Sequence, residues 1–164
     1  MNYENIDLMT DEDVDYNSLP EEVLYKLVLD DELFIATSAL VELSLRKSLL
    51  ATQAASEILS QSYGDKYLQA TALSVLFDMN RERAIDLMLQ KTQHYDLYIL
   101  NTIMELMIEN EVDFKSESNS DKIVNIIEGR LLQLDNSAKF PEPEVRDRWQ
   151  DIYRYSKNIQ GTAV

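Results

Sequence analysis

The sequence predicts an all-α protein, an α-α superhelix of about eight helices, and three observations support this fold class. First, the 164 residues include only three Gly and three Pro, too few turn residues for a series of strands. Second, apolar residues recur at helical spacing through most of the chain. Third, one helical hairpin recurs with a period of 31 to 34 residues. A period of that length is typical of α-solenoids.

The start of one helix is written three times, as DELFIATSAL, DKYLQATALS and DLYILNTIME. Each copy opens with Asp and places Thr six residues later. The pairs are Asp31 and Thr37, Asp65 and Thr71, and Asp96 and Thr102. We expect Asp to accept the free N–H groups of the helix start, and Thr to bond a carbonyl one turn back.

In two of the three copies, the residue directly before this Thr is small. Ala36 and Ala70 would allow a neighbouring helix to approach closely, whereas Asn101 occupies this place in the third copy. Because one hairpin cannot cover its own apolar face, copies are expected to stack until a core is closed.

Cap and stop signals divide the chain, which we interpret as a single domain. The pair Ser18 and Glu21 predicts a capping box, and Gly64 a left-handed helix stop. The polar stretch 109–121 predicts a loop inside the third hairpin. The predicted parts are an acidic arm (1–17), a capping helix (18–30), three hairpins (31–134) and a C-terminal capping helix (143–158).

The repeated segments resemble HEAT repeats. The resemblance rests on DELFIATSALVEL…AASEIL and DKYLQATALSVLF…AIDLML, and the copy from Asp96 is degraded, with a long internal loop. Ile35 and Gln69 stand where the fuller form of the repeat has Arg. The resemblance implies a HEAT/ARM-like solenoid with one helix of each pair on a binding face; a generic helical bundle is the alternative.

The charge of the chain predicts which partners it can bind. The net charge is −15, and residues 1–32 hold eleven acids against one base, Lys26. Nucleic acids and anionic membranes are therefore not expected as partners, because both need a basic surface. A cationic protein is the natural complement, and ordinary solubility is the other interpretation.

The sequence offers little catalytic chemistry, so we predict no enzyme activity, no cofactor and no metal. The chain has no Cys and one His, His94. It contains no Gly-rich phosphate loop. Glu105 and Glu109 form an i, i+4 carboxylate pair, which is normally a solvated face.

An acidic segment near the N-terminus has the spacing of a calcium-binding EF-hand loop. Its acids are Asp11, Asp13, Asp15 and Glu22. Tyr16 stands where that loop needs Gly for its sharp turn, so we interpret the segment as an acidic arm.

Partner-binding residues are predicted on the arm and on one face of successive second helices. The arm contributes Asp11, Asp13 and Asp15. The face contributes an acidic and amide-rich strip of Gln53, Glu57, Glu82, Asp86, Gln90, Asn125 and Glu128.

In size, charge and fold, the chain resembles the immunity proteins of bacterial polymorphic toxin and contact-dependent growth-inhibition systems. This resemblance implies a cytoplasmic protein, a monomer or weak dimer, that blocks the active site of a basic, nuclease-type cognate toxin domain. The first alternative is an adaptor or scaffold similar to the HEAT-like class of phycobilisome lyases. A lyase or repair glycosylase on a HEAT scaffold ranks third. The opening MNYENIDLMTDEDVD is too polar for a signal peptide.

Overall fold

The computed structural model describes residues 14–29, 32–135 and 137–160, with side chains up to residue 154. Within these ranges the regular structure is helical, which confirms the predicted all-α class. A short 3-10 helix, Tyr16–Ser18, precedes nine α-helices in these ranges. They are α1 (Glu21–Val28), α2 (Leu33–Leu45), α3 (Leu49–Gln61), α4 (Lys66–Met79), α5 (Arg81–Lys91), α6 (Leu97–Glu109), α7 (Glu111–Ser116), α8 (Ser120–Leu131) and α9 (Pro143–Gln160).

The chain divides into two compact units, residues 1–84 and residues 85–164. In the first unit α2 packs against α1, α3 and α4, and α3 packs against α4. In the second unit α6 packs against α9 and α7, and α7 against α8. The first unit thus contains the helix-on-helix stacking that the repeated pattern predicts.

Asp residues begin the first helices of the second and third copies, as predicted. The Asp65 carboxylate accepts hydrogen bonds from the backbone N–H groups of Tyr67, at 3.0 Å, and Leu68, at 2.9 Å. The Asp96 carboxylate accepts one from the N–H of Tyr98 at 2.7 Å. Each bond satisfies a donor that the helix itself leaves unpaired.

The first copy begins differently. Asp31 lies outside the described residues, and Glu32 is the N-cap of α2. The repeated Thr has the predicted role in this copy, because Thr37 Oγ1 donates to the Leu33 carbonyl at 2.8 Å. In the third copy Thr102 Oγ1 donates to the Tyr98 carbonyl at 3.3 Å.

The predicted capping box at Ser18 and Glu21 is wrong. The N-cap of α1 is Pro20, whose extended backbone makes Glu21 the first helical residue. Ser18 ends the 3-10 helix instead, and its Oγ donates to the Asp15 carbonyl at 2.9 Å. A Ser in this position satisfies a local turn rather than the next helix.

The predicted helix stop is displaced by two residues. Ser62, with φ 54°, is the left-handed C-cap of α3, and the Tyr63 N–H donates to the Ile58 carbonyl at 2.9 Å. Gly64 also has positive φ, 72°, and a Cβ there would lie 2.6 Å from Leu68 Cδ2. The positive φ of Gly64 is what favours glycine there, because the flexible end of the Leu68 side chain could move away from a Cβ.

The stretch 109–121 is not a plain loop, because it contains α7. Phe114 is fully buried and its ring meets that of Tyr153 edge to face, with centroids 6.2 Å apart. An i, i+4 ion pair joins Lys115 to Glu111 at 2.6 Å. One buried aromatic residue thus anchors a helix whose other residues are mostly polar.

The core of the second unit lies between α6 and α9. Trp149 and Tyr153, predicted on the apolar stripe of the last helix, are both buried. Trp149 Nε1 donates to Met107 Sδ at 3.5 Å, and the Tyr153 hydroxyl donates to the Met107 carbonyl at 2.7 Å. These contacts fix the face of α6 on which α9 packs.

Candidate partner-binding surface

The buried residues of α3 determine which side of this helix faces solvent. The buried residues of this helix are Ala51, Ala54, Ala55, Ile58 and Leu59. Their spacing leaves Gln53, Glu57 and Gln61, which are four residues apart, on the opposite side. The helical period therefore places two predicted partner-binding residues, Gln53 and Glu57, on one surface.

A tyrosine of α1 joins these side chains into one hydrogen-bonded group. The Tyr25 hydroxyl donates to Glu57 Oε2 at 3.0 Å and accepts from Gln53 Nε2 at 2.9 Å. Gln61 Nε2 donates to Glu57 Oε1 at 3.4 Å. Burial, and then the hydrogen bond and charge of Glu57, raise the pKa of Tyr25. We call Tyr25, Gln53, Glu57 and Gln61 the tyrosine–glutamate cluster; it holds the carboxylate in one orientation.

The predicted residues of α5 are also spaced by four. Glu82, Asp86 and Gln90 are all exposed, whereas the intervening Ala84 and Leu87 are buried. Glu82 belongs to the first unit, and Asp86 and Gln90 belong to the second. Each is available to a partner from solvent.

One of the two predicted residues of α8, Glu128, borders a cavity in the second unit. Asn125 is exposed and Glu128 is half-buried. Glu128 lines a cavity of about 140 Å³ together with Leu131, Leu132, Gln150 and Arg154. Because Arg154 contributes a positive charge there, this cavity is less acidic than the sequence alone indicated.

The acidic arm is described only in part. Asp11 and Asp13 lie outside the described residues. Asp15 is exposed and precedes the 3-10 helix. The structure joins Gln53 and Glu57 through Tyr25, and a continuous strip across the remaining members stays a prediction.

A second cavity, which the sequence did not reveal as a site, lies between α6 and α9. Its volume is about 240 Å³. We call it the acid-lined cavity, and its lining residues are Glu105, Ile108, Glu109, Glu144, Val145 and Arg148. Glu105 and Glu109 are the pair expected to form a solvated face; Glu109 is exposed, but Glu105 is half-buried in the cavity wall. The sequence signal that could have indicated this cavity is the i, i+4 spacing of charged residues, Glu105 and Glu109 on α6 and Glu144 and Arg148 on α9.

The acid-lined cavity carries excess negative charge. Burial raises the pKa of Glu105, and the charges of Glu142 and Glu109 raise it further. A hydrogen bond to Asn101 acts in the opposite direction. Burial is the largest of these causes, so the raised pKa of Glu105 reflects mainly its desolvation, and the nearby carboxylates add to it. Arg148 lines the same cavity and contributes one positive charge.

His94 lies in the turn between α5 and α6, and Arg130, in the last turn of α8, bonds to that turn. Arg130 Nη1 donates to the carbonyls of Thr92, at 2.9 Å, and Tyr95, at 2.7 Å. Burial lowers the pKa of Arg130, and the charge of Asp96 opposes that shift. Arg130 thus fixes the turn, and His94 is exposed on it.

The described ranges lack two kinds of feature. No group of three or more His, Cys, Asp or Glu side chains there could hold a metal ion. No described helix combines the length and the apolar character needed to cross a membrane.

Comparisons with known proteins find no counterpart. No protein-family model, curated protein or solved structure matches the chain.

Proposed function

We propose that this protein is a non-enzymatic binding module, and specifically an immunity protein that neutralises a cationic, nuclease-type bacterial toxin domain. The observation that carries the proposal is the acid-lined cavity of about 240 Å³, which three carboxylates and one basic residue, Arg148, line from two helices. A space of this size accommodates a Lys or Arg side chain of a partner. The whole chain is also acidic, with a net charge of −15, and is therefore complementary in charge to a basic partner.

The proposed mechanism is occlusion of the toxin's active site. Nuclease active sites place Lys, Arg and His around a phosphate that carries negative charge. An acidic protein surface can occupy the same site and also increases the rate of encounter with it. Glu105, Glu109 and Glu144 would receive a basic side chain of the toxin.

The tyrosine–glutamate cluster, in the first unit, is a second candidate contact for a basic side chain of a partner. Tyr25 and Gln61 hold Glu57 in place, so Glu57 need not lose rotational freedom when a partner binds. Preorganised charged groups contribute more to affinity than mobile ones, because less entropy is lost on binding.

The test is protection of cells that express a candidate toxin domain. The candidate to be sought is a basic C-terminal domain of a large secreted protein, and the adjacent upstream gene is the first place to look for it. We expect protection by the native protein and loss of protection when Glu105, Glu109 and Glu144 are all changed to Gln. The control replaces Glu22 and Glu117 by Gln and Asp78 by Asn, which removes the same charge elsewhere.

The control protein should still protect. Full protection by the Glu105, Glu109 and Glu144 variant would contradict the role of the acid-lined cavity, and so would equal loss in both variants. Failure of the native protein to bind or protect against this domain would contradict the immunity function itself.

A further inference from the structure

We draw no further inference here: the strongest candidate, the exposed apolar face of α2 formed by Phe34, Val41 and Leu45, carries none, because nothing in the part of the chain that the structure describes shows what covers it.

Discussion

Asn101 shows how one departure from a repeat can fix the position of another element. The equivalent Ala36 and Ala70 are buried at close helix contacts, and Asn101 is buried too, at 5% exposure. Its Oδ1 accepts a hydrogen bond from the Glu142 N–H at 2.8 Å, and its side chain also bonds to Glu105. The residue that breaks the pattern therefore anchors the chain just before α9.

Asn101→Ala should lower the free energy of unfolding by about 1–3 kcal/mol, because it removes both bonds and leaves the part-buried Glu142 N–H without this acceptor. The measurement is the urea midpoint, with the exposed Gln133→Ala as the control. Equal midpoints for the two variants would show that Asn101 does not hold α9.

Tyr95→Phe should leave stability at neutral pH unchanged or slightly higher. The Tyr95 hydroxyl is buried, and it has no hydrogen-bond partner among the described residues. Removing a buried hydroxyl that forms no bond costs little. Loss of more than about 1 kcal/mol in chemical denaturation would show that the hydroxyl has a partner after all.

The same residue should affect stability at alkaline pH. Burial raises the pKa of Tyr95 to about 12, whereas a tyrosine in the unfolded chain ionises near 10. Below pH 10 both states are protonated; above it the unfolded state releases its proton first, so stability falls between pH 10 and 12. The decrease measured by urea titration should be smaller in Tyr95→Phe. Identical stability–pH profiles of the native protein and Tyr95→Phe would contradict the raised pKa of Tyr95.

At the scale of the helix, the Asp caps make a measurable contribution. Asp65→Ala should destabilise the protein by about 1 kcal/mol, because two backbone N–H groups lose their acceptor. Asp65→Asn should retain most of that stability, since Asn caps helices about as well. Thermal unfolding of the two variants measures both losses of stability. Equal losses in Asp65→Ala and Asp65→Asn would show that the charge of Asp65, rather than its hydrogen bonds to the helix start, stabilises the protein.

The close contacts between helices depend on small residues. Ala36 and Ala70 are 0% and 6% exposed. Leu at either position should destabilise the protein by about 1–3 kcal/mol through overpacking. Asp78→Leu, on the exposed side of α4, is the control. Unchanged denaturant midpoints for both alanine variants would mean that the repeats are aligned in the wrong register.

The sequence predicts those elements whose signal lies within a few neighbouring residues. The caps at Asp65 and Asp96 and the polar side of α3 follow from side-chain chemistry and helical period alone. The sequence did not reveal α7, because its anchor is a contact between Phe114 and the distant Tyr153.

Of the candidate partner-binding surface, too, only the part with a local signal could be predicted from the sequence. Helical spacing placed Gln53 beside Glu57, but their link, Tyr25, is 28 residues from Gln53. The acid-lined cavity could not be predicted, since it exists only once α9 packs against α6.

At the scale of the whole molecule, the acidic groups are unevenly distributed. Eleven of the 30 acids lie in residues 1–32, and the acid-lined cavity lies in the second unit. Encounter with a cationic domain depends on the summed field of these groups, so steering should respond to salt and to charges outside the final contact.

The most direct test of the proposed function is the association rate with a candidate basic toxin domain, measured by stopped flow against ionic strength. The rate should fall steeply with added salt. It should also fall when Glu57, Asp86 and Glu128 are reversed to Lys, and change little when Leu132 is replaced by Gln. An association rate that is insensitive both to salt and to the three charge reversals would contradict electrostatic capture of a cationic partner.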